Sequence, residues 1–442
     1  MTEAHGTKPG FTLLFKCKSC GELYPEPIIK CPACGGLVLP FYERARRFRV
    51  AHRHSIWGFE GSLPDFPVKV TLGEGFTPLI ESWFIGRDKG VYFKDEGRNP
   101  TGSTRDRAAC IVVSHAASLK YKRVVAASDG NMGVSIAAYA AKAGLKAAVY
   151  APPWIDSEKA LLIRAYGAEL ELRDKSIDAI VKDVSELSEK TKSYNASTTS
   201  NPLSIEGLKT ISYEVLLDLG RVPRSIYVPL GSGITLLSIY YGFLDLVEAG
   251  LAPRIPRLVG VEHCGNPKYA EHLSQVSKCR EEAYPGLRYY TPPVFNHVLE
   301  VLEKQGEVVV VTSRETLRAA KQLATREGLF TEPSSAVAVA GYLKREEEDS
   351  VILLFGHGVK SASAFARPRR RRFTAPYVGI TKKLILEVLR SKPGLTGYEV
   401  WRELGLNITP QAVYQHLRDL AEMGLIRVVE RSGVKRYYAS LY

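Results

Sequence analysis

Residues 123–150 read RVVAASDGNMGVSIAAYAAKAGLKAAVY. Positions 123–127 form a short β-branched run, 134–143 an amphipathic helix-length stretch, and 147–150 a second strand-like run. Short apolar strands alternating with helices build βαβ units around a mostly parallel sheet. The alternation continues outward from about Arg46 to Ala366, with further buried strands expected at 169–172, 225–228, 258–261, 308–311 and 351–355. Two glycine turns sit where a strand passes to a helix. One is Ala127-Ser128-Asp129-Gly130-Asn131-Met132-Gly133; the other is Leu230-Gly231-Ser232-Gly233-Ile234-Thr235. Backbone amides and the helix dipole favour anions at such junctions, so this α/β body is shaped to hold a phosphate-bearing small molecule.

At 442 residues the chain exceeds one ordinary core, and two to three domains are expected. An apolar share of 45% and a charged share of 24% are those of a soluble globular protein. Met1 to Gly10 lead into no apolar stretch of secretory length, and no run approaches a membrane span, so a cytoplasmic protein without a membrane partner is expected. Three Met and five Gln hint weakly at heat adaptation. The net charge of +13 is uneven: residues 366–442 carry 15 Lys plus Arg against 6 Asp plus Glu, which points to a polyanionic partner for the C-terminus.

Cys17-Lys-Ser-Cys20-Gly21 and Cys31-Pro-Ala-Cys34-Gly35 are two knuckles ten residues apart. A two-residue spacer lets one turn present two thiolates to a tetrahedral zinc, and the trailing glycine lets the backbone fold tightly. Residues 1–45 are read as a zinc ribbon with a closed, structural metal site. Cys110, Cys264 and Cys279 show no partner pattern and are expected to be single core or surface thiols.

A third stretch, Lys94-Asp-Glu-Gly-Arg-Asn-Pro-Thr-Gly-Ser-Thr-Arg-Asp-Arg107, joins the two turns. With Tyr194-Asn-Ala196, Asn201-Pro-Leu-Ser-Ile-Glu-Gly-Leu-Lys-Thr210, Glu332-Pro-Ser-Ser-Ala336 and Gly356-His-Gly-Val-Lys-Ser361, it resembles the fold type II pyridoxal phosphate (PLP) enzymes, and among them archaeal threonine synthase. The likeness covers about residues 10 to 362, zinc module included. It implies a tryptophan synthase β-like body over residues 46–366, in which Gly231, Ser232, Gly233, Ile234 and Thr235 cradle the cofactor phosphate. It also implies that Asn131 faces the ring hydroxyl and that Asn99, Thr101, Ser103, Ser128, Asp129 and Asn201 line the ligand pocket.

Two positions depart from the family pattern. Arg105 stands where the family has its Schiff-base lysine. A guanidinium stays protonated and offers only donors, so Arg105 can clamp a phosphate or carboxylate but cannot form an internal aldimine. Phe355 stands where a Thr or Ser bonds the pyridine nitrogen, and a phenyl ring makes no such bond. Together they imply a changed ligand, such as a phosphorylated metabolite, an amino acid or PLP itself, and no catalytic residue. Lys94, Lys209 or Lys360 remains a conceivable substitute amine.

The segment 367–377, with five arginines and two prolines, reads as a basic linker. Beyond it, helix-length periods at 381–391, 397–404 and 410–423 precede two strand-like runs, 425–430 and 434–438. Helix, helix, helix, hairpin is the winged-helix order, assigned to residues 378–442. Thr409 caps the third helix, Pro410 opens it and Gly424 closes it. Val413, Leu417 and Leu420 share an inward face; Gln411, Tyr414, Gln415 and Arg418 share the opposite one, with Lys435 and Arg436 near the hairpin tip. Such side chains can meet duplex DNA. A protein-interaction domain remains the alternative. The sequence thus favours a homodimeric, ligand-sensing transcription regulator on a degenerate threonine-synthase-like body, with an active PLP lyase or a structural partner subunit as the other readings.

Overall fold

The computed structural model describes residues 13–42, 47–273, 279–365, 380–405, 408–422, 425–431 and 434–440. The chain divides into two units, Met1–Ala364 and Phe365–Tyr442.

In the first unit the apolar runs become strands buried on both faces, as parallel strands covered by helices must be, except Glu169–Leu172, an edge strand left largely exposed where a buried one was expected. One sheet of four parallel strands has the order Glu169–Leu172, Lys146–Ala151, Arg123–Ala127, Tyr194–Asn195. The other has six, in the order Gly306–Val311, Arg257–His263, Ser225–Pro229, Ser350–Leu354, Val91–Asp95, Leu79–Glu81; only the last is antiparallel to its neighbour. The expected strands all form, with ends shifted by a residue or two. Phe355 falls just past its strand, 9% exposed.

Val91–Asp95 lies inside the six-stranded sheet, although its Lys94 and Asp95 give it no apolar signature. The fold neutralises that lysine: Lys94 Nζ lies 2.8 Å from Glu214 and donates to the Thr77 carbonyl at 2.7 Å. Beside it Arg107, fully buried, donates to both oxygens of Glu96 at 2.7 Å and to Glu214 Oε2 at 2.8 Å. Buried charges survive only when paired and hydrogen-bonded, and this network anchors the loop that leads into the helix Arg105–Ser118.

The N-terminal module is a three-stranded antiparallel sheet, Leu23–Tyr24, Phe15–Cys17, Val38–Pro40. Its buried Phe15, Leu37 and Val38 join the main core, and the Leu37 amide donates to His297 Nε2 at 3.0 Å. One cysteine expectation is corrected here. Cys264 and Cys279 form a disulfide, because the chain after Arg257–His263 folds back and the Cys279 amide bonds the Cys264 carbonyl at 3.1 Å. Cys110 is a buried free thiol.

The described residues of the second unit form three helices, Ile380–Ser391, Gly397–Leu404 and Pro410–Glu422. A three-stranded antiparallel sheet completes it, in the order Leu395–Thr396, Val434–Ala439, Ile426–Arg431. Val413, Leu417 and Leu420 are fully buried in its own core, and Thr409 Oγ1 accepts from the Ala412 amide at 3.3 Å. The arginine-rich linker, Gly424 and the turn at Ser432-Gly433 lie outside the described residues. No helix among the described residues is long and apolar enough to cross a membrane.

Candidate functional site

The two cysteine knuckles converge. Cys17 and Cys34 Sγ are 3.5 Å apart, Cys20 and Cys31 Sγ 3.6 Å, and all four sulfurs lie within 4.8 Å of one another. Zn–S bonds of ~2.3 Å need sulfurs ~3.8 Å apart, so the donor set fits a closed tetrahedral zinc site. Gly21 and Gly35, at φ +79 and +74, make the left-handed turns expected of them. The Tyr24 hydroxyl, 3.0 Å from Cys31 Sγ, helps hold that thiol down at about 6.

In the body, both glycine turns reach one cavity of about 50 Å³ between the two sheets' helices. The strand Ser225–Pro229 runs into Leu230-Gly231-Ser232-Gly233, which opens the helix Ile234–Glu248. Gly233 has φ +86, and a Cβ on Gly231 would collide with the Gly286 carbonyl, so both positions demand glycine. Lys268 Nζ donates to the Gly231 carbonyl at 2.6 Å and the Tyr269 hydroxyl to the Ser232 carbonyl at 3.3 Å. Those carbonyls are drawn back while the amides at the helix start have no acceptor among the described residues, which is the donor set a phosphate needs.

Arg105, Ser128, Asp129, Asn131, Ser232 and Phe355 line the cavity. Arg105 Nη1 donates to Thr235 Oγ1 at 3.0 Å, and its guanidinium lies 5.7 Å from the Phe355 ring centre. Burial lowers the guanidinium's proton affinity from its ordinary value, yet arginine remains a cation. Asp129 accepts from the Gly286 amide at 2.6 Å, and burial raises its carboxyl. Thr104 Oγ1 and Asn131 Oδ1, both on cavity-lining residues, have no hydrogen-bond partner.

Asn99, Thr101, Ser103 and Asn201 do not line it. Asn99 accepts from the Gly75 amide and donates to Glu96, both within 3.0 Å; Thr101 is held by Asp106 at 2.6 Å; Asn201 braces Tyr194 at 3.0 Å. Ser103 is fully buried beside Gly356. The Asn99, Thr101 and Asn201 side chains are thus spent within the scaffold, while the buried Ser103 Oγ has no hydrogen-bond partner among the described residues.

Lys159, which sequence reading did not single out, does line the cavity. Its Nζ lies 2.9 Å from Asp156 and 3.0 Å from Glu332, whose other oxygen accepts from Asn131 Nδ2 at 2.7 Å. Burial opposes its charge, but the two carboxylates outweigh burial and hold the amine above the ordinary lysine range. The only sequence signal was Glu332 within its Glu-Pro-Ser-Ser motif. Lys94 and Lys209 are spent in ion pairs with Glu214 and Glu206. Burial pushes Lys360 down to about 8, but its Nζ donates to the Thr101 carbonyl at 2.7 Å behind the loop.

The sequence profile of the family described as pyridoxal-phosphate dependent enzyme matches residues 70–356. The chain belongs to that family. Its relatives include the threonine synthase of Synechocystis sp., 34% identical over 66% of this chain and 78% of that protein. The threonine synthase of Methanocaldococcus jannaschii is 30% identical over 80% of this chain and 95% of its own length. Among solved structures, maize serine racemase superposes with a TM-score of 0.56 at 21% identity, covering 65% of this chain and 90% of that one. An O-ureido-L-serine-bound mutant of O-ureido-L-serine synthase does so with a TM-score of 0.56 at 23% identity, covering 68% and 94%. These two likenesses concern the fold.

Against the family cofactor, the cavity fits at one end only. The glycine turn suits a phosphate. At the other end no uncharged amine faces the cavity among the described residues, and about 50 Å³ falls far below the ~300–1,000 Å³ of ordinary small-molecule pockets. The residues present do not fit pyridoxal phosphate held as a Schiff base.

In the second unit Gln411, Tyr414, Gln415 and Arg418 are exposed on one helix face, as are Lys435 and Arg436 on the hairpin. Tyr414, Arg418 and Lys435 line one groove of about 510 Å³ between helix and hairpin. Arg436 also donates to the Gly394 carbonyl at 2.8 Å, and Gln415 to Asp419 at 2.9 Å.

Proposed function

We propose that this protein is a ligand-responsive DNA-binding regulator, in which a threonine-synthase-like body has given up lyase chemistry and become a sensor. The observation that carries this reading is Arg105, a permanent cation bonded to Thr235 where the family's amine would stand. A non-covalent anion, such as a phosphorylated metabolite, an amino acid phosphate or PLP bound without an aldimine, is the ligand this site suits. The C-terminal unit is a winged helix whose Gln411, Tyr414, Gln415 and Arg418 read duplex DNA, with the hairpin on the backbone. Zinc on Cys17, Cys20, Cys31 and Cys34 is structural. A homodimer presenting two such helices is the expected assembly, in the cytoplasm.

The second reading, an active threonine synthase with a regulatory tail, draws on the names of the relatives. It requires a free amine at the cavity, and Lys159 is held charged by two carboxylates.

Regulation requires that ligand affinity differ between DNA-bound and free protein. Fluorescence anisotropy of the full chain on a duplex from its own upstream region, with and without phosphohomoserine or PLP, measures this. A salt-sensitive complex whose affinity shifts with ligand supports the proposal; no complex at low salt removes the DNA role.

A further inference from the structure

A second cavity, of about 450 Å³, lies where the zinc module meets the body. Lys30, Lys268 and His297 line it together with Tyr290, Phe295 and Asn296, and none of its described lining residues is acidic. His297 Nε2 accepts the Leu37 amide at 3.0 Å. Burial holds the imidazole below its ordinary value, hence neutral near pH 7. A neutral ring that accepts at Nε2 carries its proton on Nδ1, and that buried nitrogen has no partner.

Of the two lysines Lys30 is exposed, whereas Lys268 is already ion-paired. Glu262 is 4.0 Å from Lys268 Nζ and accepts from the Tyr269 and Ala270 amides. The Asp178 carboxylate is taken by the Tyr290 and Thr291 amides. Lys268 spends one hydrogen on the Gly231 carbonyl and has two more. The walls are flat and apolar, and Phe295 is fixed by stacking on Tyr269 at 4.8 Å.

We propose that this cavity is a second anion site, taking a phosphate monoester carried on a planar apolar ring. Two ammonium groups match a phosphate, whose charge near neutral pH is ~−1.5 to −2. Tyr290 and Phe295 take the ring. Because Lys268 also holds the Gly231 carbonyl, this site and the phosphate turn share one side chain.

Calorimetric titration of the zinc-loaded full chain with phenyl phosphate tests the site, with inorganic phosphate, benzoate and phenol as comparators. One equivalent of phenyl phosphate is expected to bind, tenfold or more tighter than any comparator. Lys30→Glu and Asn296→Asp, both at exposed positions, are each expected to weaken it at least fivefold. Arg105→Ala is expected to leave this binding intact, which separates the site from the first cavity. No binding, binding indifferent to both charge changes, or binding abolished by Arg105→Ala would overturn the proposal. A failed regulator reading would leave these results unchanged.

Discussion

Arg105 Nη1 donates to Thr235 Oγ1 at 3.0 Å, so the residue that the sequence resemblance sets at the family's amine position is tied to the glycine turn. Phe355, the other departure, lies within 5.7 Å of the same guanidinium. The two residues form one contact: a delocalised cation over an aromatic face.

If Arg105 and Phe355 together block covalent anchoring, Arg105→Lys combined with Phe355→Thr restores it. The double variant, mixed with PLP, is expected to gain an absorbance band near about 410–430 nm, the signature of the cofactor's aldimine. A colourless double variant at saturating PLP would place the block elsewhere in the cavity.

Metal analysis of freshly purified protein is expected to give one zinc per chain. Cys34→Ser is expected to lower that content and the melting temperature together, because the module packs Phe15, Leu37 and Val38 into the main core. Full stability without metal would make the cluster a set of thiols only.

For DNA binding, Arg418→Ala is expected to weaken the complex by ~1–3 kcal/mol if it reads a base, and Lys435→Ala to reduce the salt slope by about 1 if it meets a phosphate. Anisotropy titrations over a salt series distinguish the two. Unchanged affinity and slope in both variants would assign the exposed helix face to a protein partner.

The buried network sets acid stability. Burial works against the charge of Glu214, but Arg107 and Lys94 outweigh it and hold the carboxyl at about 2, below its ordinary 4.5. A depressed carboxyl stabilises the fold fully above its unfolded value and loses that contribution as pH falls toward 2. Glu214→Gln is expected to cost ~3–5 kcal/mol near pH 7, since it leaves Arg107 and Lys94 underpaired, and much less near pH 2. Denaturant melts of both proteins across that range check the convergence.

The strands at 123–127, 225–229 and 350–354 were legible because parallel strands buried on both faces are unbroken apolar runs. Val91–Asp95 was not, since Lys94 finds Glu214 far along the chain and no local pattern shows that pairing. The same reason hid Lys159, whose place depends on Glu332, and the Cys264–Cys279 bond, which depends on a fold-back after a strand. Motif position announced Asn99 and Asn201 as pocket residues, but their hydrogen bonds are spent within the scaffold. The glycine turns and the cysteine knuckles were readable because their chemistry is local.

The measurement that bears most directly on the proposed loss of lyase chemistry is borohydride trapping. Incubating the purified protein with PLP, reducing, and mapping peptides by mass spectrometry asks whether any lysine carries the coenzyme. No stoichiometric pyridoxyl-lysine is expected, together with no release of phosphate from phosphohomoserine. One equivalent trapped on a single lysine, accompanied by threonine formation, would contradict it.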